Sequence, residues 1–502
     1  MTVQSLAPSV VVHRPPRQRR RAVHVSFGVR ALRWTAWLLA ALSAAWLLFF
    51  ASGDQRWVFT PVLLMVNVGF LYLTHLYARD GVLPLFEIGT VYLAALVVYS
   101  VVPLLNFAAG GMTWTQWSDP RLREWMPDAR EVGTFAFRHV LFLVTFTGAY
   151  LLLRRNHHPR TDRPPRPDTA TVAALAVWFL ILTAYFPLLT LFVGRIPTVY
   201  EGGTGFELRQ RAPYIVAQLT HIVMVMHLTL RQAITVTLLV RWRQLRWRIV
   251  FFAWIVFELL FTATTLQGRS TTVILLLSAG LLYHALVRPL RLKTAAIAGV
   301  ALLAGILLFG MVRDLRRLET MVNFDAAKVF NNEFQVLWAN AYDLHMRRQT
   351  GMLTVIPWQI YVSDLYMIIP SQLLPFQKID PSDWYLDELG LTGTGQGVMF
   401  GAIAQGVVGL DWVEIGVRGA LLGLIFAGFH RWYTRHRDSF WATTFYVCIC
   451  TWSYYTFRST TFFFIYMILY QFVSVWVVLQ FTRFVLSRGA RVAQSWRGAP
   501  PR

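Results

Sequence analysis

Residues 249–288 read IVFFAWIVFELLFTATTLQGRSTTVILLLSAGLLYHALVR. Two apolar runs, 249–267 and 271–288, are parted by only a few polar residues around Arg269. A helix needs about 20 largely apolar residues to cross a bilayer, so each run has the length of a span and the short polar joint makes them a hairpin. The hairpin is bracketed by RWRQLRWR at 241–248 and RPLRLK at 288–293. Arginine-rich connections remain on the cytoplasmic side of a membrane. The two clusters therefore share one side, and the Gly268-Arg269-Ser270 turn faces the other.

The same reading extends in both directions. Further apolar runs occur near 31–51, 57–78, 85–108, 133–153, 169–190, 213–240, 293–312, 411–433, 439–457 and 460–481. With the opening pair they make twelve spans. RRNHHPRTDRPPRPD (154–168), RWYTRHR (431–437) and the tail beyond Arg483 fall on the same side as the first two clusters. Residues 1–33 hold seven arginines and no acid. The run after them is long for a secretory signal and is expected to be a retained first helix. The expected fold is thus all-α and polytopic, with about twelve transmembrane helices and both termini cytoplasmic. Its divisions are a basic tail (1–30), spans one to nine (31–312), a large outer loop (313–410), spans ten to twelve (411–481) and a second basic tail (482–502).

Composition supports this class. The 502 residues are 56 % hydrophobic and only 14 % charged, against about 25 % in soluble chains. The net charge of +22 would suit nucleic acid, but the basic residues lie between apolar runs, where they act as topology signals and lipid contacts. Cys448 and Cys450, alternate residues of one apolar run, cannot pair on a single helix.

The large loop has a different character, with ten of the chain's 25 acids facing seven bases between 313 and 397. Phe330, Phe334, Leu337, Ala341 and Leu344 recur at helical spacing, and Glu333, Asn340 and Arg347 form a neighbouring stripe. These predict an amphipathic helix with a solvated polar face. Trp358, Tyr361, Tyr366, Trp384 and Tyr385 follow; they suit either sugar stacking or an interfacial aromatic belt. The run 398–410 is too short to span and is expected to dip into the membrane or lie on it.

The sharpest motif is a tetrapeptide, Arg-Ser-Thr-Thr, found at 269–272 and again at 458–461, each time between consecutive apolar runs. A guanidinium fork matches phosphate oxygens in two-point contact, and the free N–H groups of a helix start favour an anion. Arg269 and Arg458 are therefore candidates to hold one diphosphate or two lipid-linked ones. Each also reads as a snorkelling arginine beside an N-cap serine. Arg313 and Arg316, opening the outer loop, invite the same anion reading, although Asp314 and Glu319 can neutralise them; Arg209 and Arg211 do so more weakly. Glu333 and His345 are candidate general bases. Glu258, in mid-span, is either functional or paired with His221, His227 or Arg138. No Walker loop and no metal-ligand spacing occurs, so no cofactor and no metal is expected.

The chain resembles the Wzy-type O-antigen polymerases, which join oligosaccharide repeat units. The resemblance lies in PSQLLPFQKIDPSDW, in GTGQGVMFGAIAQGVVGLDWVEIGVRGALLGLIFAGFHRWY and in YYTFRSTTFFFIYMILYQF, with support from GRSTT and MVRDLRRLE. It implies a bacterial cytoplasmic membrane enzyme with a large periplasmic loop, taking undecaprenyl-diphosphate-linked oligosaccharides as substrates and working with a chain-length regulator as partner. Arg269, Arg458 and Arg313 would hold diphosphate, and Glu333 would activate or orient the acceptor. Where related sequences carry an acid after the glycine-rich stretch, this chain has Gln405. An O-antigen ligase, with a different acceptor, and a lipid-linked oligosaccharide flippase remain as alternatives; the concentration of charge at one face and the lack of two-half symmetry favour an enzyme.

Overall fold

Ser52 begins a long helix by a reciprocal cap. Its Oγ accepts from Gln55 N at 3.4 Å while Gln55 Oε1 accepts from Ser52 N at 3.0 Å, so two otherwise orphaned donors are satisfied. The helix ends at Gly81, whose φ of 69° needs a residue without Cβ. Asp128 and Glu131 repeat the capping box for a later helix. The structure, a computed structural model, describes residues 27–115, 118–154, 165–193, 214–264, 269–301, 304, 326–353, 355–369, 373–391 and 399–497.

In chain order the helices are α1 (Phe27–Phe49), α2 (Gly53–Asp80), α3 (Ile88–Ala109), α4 (Pro120–Trp125), α5 (Ala129–Leu153), α6 (Thr169–Val193), α7 (Tyr214–Val240), α8 (Leu245–Thr264) and α9 (Arg269–Leu282, prolonged by a π turn at Tyr283–Val287). Then come α10 (Leu292–Ala301), α11 (Ala326–Gln349), α12 (Pro381–Glu388), α13 (Gly401–Val408), α14 (Trp412–His436), α15 (Phe440–Trp452) and α16 (Phe463–Arg488, with a π stretch at Met467–Val473). No strand occurs among the described residues. Six helices there are long and apolar enough to cross a membrane, namely α2, α3, α5, the Ile222–Val240 part of α7, α14 and α16; four shorter apolar helices accompany them. The protein is an all-helical, multi-pass membrane protein.

The central contact is between α5 and α14. Gly419 and Gly423, four residues apart, let the two backbones meet: a Cβ at Gly419 would stand 2.7 Å from Phe142 O, and one at Gly423 would overlap Phe146 O. Without water to drive association, spans gain from this close small-residue packing. Gly133 gives the same approach to Trp57 of α2. One end of this core is tied by Arg154, whose guanidinium bonds Glu87 (Nε to Oε2, 2.9 Å) and pairs with Asp80, with Tyr150 OH donating to Glu87 at 3.1 Å.

Three expectations change in detail. The run 439–457 is not one helix: α15 stops at Trp452 after 13 residues, buried on nearly every side, and a short turn, Tyr455–Arg458, leads into α16. The loop helix α11 has no solvated polar face in its middle. Gln335, Asn340 and Asp343 are as buried as Phe334, Leu337, Ala341 and Leu344, because α11 packs against α3, α4 and α13. The half-length run forms α13, all eight of whose residues are buried in protein, which is where a non-spanning segment is tolerated at membrane depth. Cys448 and Cys450 are both free and buried.

Candidate functional site

The constellation forms around α13. Gln405, in its middle, uses all its amide valences: Nε2 donates to Ser363 Oγ (3.0 Å) and Asp364 Oδ2 (2.9 Å), while Oε1 accepts from Thr461 N (3.0 Å) and Thr461 Oγ1 (2.9 Å). Arg418, two turns into α14, pairs with Asp364, donates to Thr461 Oγ1 at 2.8 Å, and forks onto Glu414 Oε1 at 2.7 and 2.5 Å. Asp364 Oδ1 also accepts from Phe462 N at 3.0 Å, and Ser459 O accepts from Gly401 N at 2.8 Å. Four segments distant in sequence, the 363–364 turn, α13, α14 and the second Arg-Ser-Thr-Thr turn, are thus fastened together. Arg418 is fully occupied by two carboxylates, so it orders the turn rather than offering itself to an anion.

The opposite end of α13 meets α11. Arg348 Nη1 donates to the carbonyls of Val407 (2.5 Å), Val408 (3.2 Å) and Gly409 (2.6 Å), the orphan acceptors of a helix C-terminus. Asn340 Nδ2 donates to Met399 O. Asp343 accepts from Trp125 Nε1 (2.7 Å), Tyr385 OH (2.5 Å) and Arg347 Nε (2.9 Å), binding α4, α11 and α12 into one unit. Burial, and then the Asp343 charge, raise the Tyr385 phenol well above its ordinary value, so it stays a donor.

His345 lies on α11 beside Phe135, ring centroids 5.5 Å apart, near Arg138, which pairs with Asp411 at 2.6 Å and covers Trp412 at 4.6 Å. Burial first, then Arg138, push the His345 pKa down from 6.5 to about 4. The imidazole is neutral at pH 7 and a weak base. Between pH 6.5 and about 4 the unfolded chain binds a proton here that the folded chain refuses, so stability falls on acidification through that window and levels off below it. Since one pKa unit corresponds to about 1.4 kcal/mol, the loss is at most about 3.5 kcal/mol. His345→Gln is expected to flatten the decline, as read by thermal unfolding in detergent at pH 7 and pH 4.5; an unchanged slope would refute this account.

The first Arg-Ser-Thr-Thr turn has its own anchor. Arg231 Nη2 of α7 donates to Thr271 O at 2.9 Å, and Glu258 lies 3.8 Å from Arg231 Nη1 and 3.4 Å from His227 Nε2. Of the three partners expected for Glu258, His227 is found, Arg138 is engaged with Asp411, and the side chain of His221 lies outside the described residues; Arg231 is a partner that the sequence did not indicate. Just beyond that turn, Ile274 of α9 packs in one apolar cluster with Cys448 and Trp452 of α15 and with Tyr455, three residues before the second Arg-Ser-Thr-Thr. The segments flanking the two turns therefore meet at α15.

Of the residues singled out by sequence, His345 is placed with its side chain. Arg313, Arg316, Arg209 and Arg211, and the side chains of Glu333, Arg269 and Arg458, lie outside the described residues. Asp364, Glu414 and Arg418 escaped notice in the sequence. Arg418 carried the one usable signal, since a charge within an apolar span is costly unless engaged.

Fold and site together define a helical membrane protein in which a buried ionic and amide network fastens the second of two like-sequence turns to α13 and α14, and Arg231 of α7 holds the first. No known protein family, curated protein or solved structure matches the chain.

Proposed function

We propose that the protein is a polymerase that joins undecaprenyl-diphosphate-linked oligosaccharide units into a surface polysaccharide by metal-independent glycosyl transfer. It would work at the outer face of the bacterial cytoplasmic membrane, with about twelve membrane segments, the eleventh being the broken one formed by α15 and the Tyr455–Arg458 turn, both termini inside, and residues 313–410 as the outer loop. The observation that supports this reading is that each Arg-Ser-Thr-Thr turn is anchored by buried polar groups, Thr461 by Gln405 and Arg418 and Thr271 by Arg231, while the residues flanking the two turns, Ile274 and Tyr455, belong to one apolar cluster with α15. Rigid mounting of two cationic turns suits a diphosphate, whose charge grows as it departs and is best met by guanidinium groups already in place. Arg269 and Arg458 would hold that group, with Arg313, Arg316, Arg209 and Arg211 around it. Glu333 would take the acceptor hydroxyl's proton, a role for which neutral, weakly basic His345 is poorly suited. Gln405, where related chains carry an acid, acts here as a donor to Asp364.

The test is a reaction of the purified protein with a synthetic undecaprenyl-diphosphate oligosaccharide. A ladder of longer lipid-linked glycans is expected, reduced at least about 100-fold by Arg269→Ala or Arg458→Ala in folded protein, the scale on which losing a transition-state charge partner acts. Transfer of single units to a different acceptor would make it a ligase. Movement of intact donor across liposomes without new bonds would make it a flippase.

A further inference from the structure

Between α11 and α12 the chain passes through two helical turns, Trp358–Tyr361 and Ser363–Tyr366. Their inward residues are Ile360, Ser363 and Tyr366, all buried, and Asp364 reaches the Arg418 network from the same segment. Outward, Trp358, Tyr361, Leu365 and Ile369 follow one another at spacings of three, four and four, with Leu365 73 % exposed and Trp358 54 %. Met352 and Val355 extend the row. Every exposed residue among the described positions 352–369 is apolar. A loop lying in water would offer polar side chains on that face, and a contiguous exposed apolar row marks a contact surface.

The neighbours of this row identify what it contacts. Tyr470 OH donates to Ile368 O at 2.8 Å, and Tyr470 lies seven residues into α16, about 10 Å along the helix. Asp364 meets Arg418, six residues and about 9 Å into α14. The segment therefore runs alongside the first part of two spans rather than beyond their ends. There the outward faces of those spans, Val417 and Leu421 on α14 and Leu469 and Val473 on α16, are apolar and exposed as well. The row thus lies on a segment tied to two spans whose exposed faces at the same level are apolar.

We infer that residues 352–369 form a membrane-embedded lip, with Trp358, Tyr361, Leu365 and Ile369 among the acyl chains of one leaflet. The back of the lip carries Ser363 and Asp364 to Gln405. An amphipathic segment of this kind lies in the interface with its apolar face about 5–10 Å deep. The bilayer, acting on the front of the lip, thereby holds the carboxylate that orders the second Arg-Ser-Thr-Thr turn at the back. This holds whether or not the chain is a polymerase.

The experiment uses the full-length protein in phosphatidylethanolamine and phosphatidylglycerol vesicles, with a nitroxide placed by Leu365→Cys or Ile369→Cys. Cys448 and Cys450 are buried, and the unsubstituted protein serves to check that they take up no label. Val417→Cys on a span and Glu388→Cys on α12 give the lipid and water references. Collisions with dissolved oxygen should dominate over those with a water-soluble nickel chelate at 365 and 369, as at 417, with the reverse at 388. Chelate access at 365 and 369 equal to that at 388 would overturn the inference. Shielding from both reagents would overturn it too, assigning the row to a second copy or another protein.

Discussion

Replacing Arg418 by alanine is expected to cost about 3–5 kcal/mol of folding stability, the scale on which removing one partner of a buried ion pair acts. Arg418 is 7 % exposed, and its guanidinium holds two carboxylates and a hydroxyl. Its removal leaves Asp364 and Glu414 as uncompensated charges in a place that water barely reaches. Gln405 and the Phe462 amide would still donate to Asp364, but neither carries charge. The second change Asp364→Asn should then restore part of the loss, because an amide costs less to bury unpaired than a carboxylate. The measurement is a double-mutant cycle on thermal unfolding of the detergent-solubilised protein. A coupling of about 1–3 kcal/mol between positions 364 and 418 is expected; one below about 0.5 kcal/mol would mean that the pair does not fasten the turn.

Gly423→Leu is expected to prevent α5 and α14 from docking, so that little folded protein survives extraction. The new Cβ would overlap the Phe146 carbonyl oxygen and stand 3.1 Å from both Ala149 Cβ and Tyr150 N. Two of these three atoms are backbone, which cannot rotate out of the way as a side chain would. The helices must separate instead, and the loss should exceed the about 1–3 kcal/mol usual for overpacking. Gly428→Ala, one turn further along the same helix, meets nothing within 4 Å and should be neutral or gain up to about 1 kcal/mol from helix propensity. Monodispersity on size exclusion after mild heating separates the two variants. If Gly423→Leu stayed monodisperse, the close contact would not be what joins the core.

How far the sequence reached can be traced through particular residues. The α5 and α14 helices appear as apolar runs at nearly their true lengths, because span length depends only on local composition and bilayer thickness. Glu258 stood out as an acid within a span, and His227 was among its expected partners, since both lie on neighbouring runs. The repeated Arg-Ser-Thr-Thr was visible as two turns, yet nothing local indicated that the residues flanking both meet at α15. That helix looked like a full span, because its sequence stays apolar through the turn after Trp452; beyond the break the chain is held by partners from elsewhere in the sequence, Thr456 by Tyr92, Ser459 by Gly401 and Thr461 by Gln405.

The polar face of α11 was legible as a stripe, but not as a buried one. Periodicity reports which residues share a face, whereas burial depends on what packs against it, here α3, α4 and α13. The outward row of residues 358–369 had the same ambiguity, since interfacial and sugar-stacking aromatics have one composition. By itself the sequence determined the class of protein, the apolar runs and the positions of the arginine turns, all of which follow from local hydrophobicity and charge. Only the tertiary structure decided that Asp364, Gln405, Arg418 and Thr461 meet, because buried polar groups in a membrane must find partners wherever the packed helices bring them, and that distance is not written in their spacing along the chain.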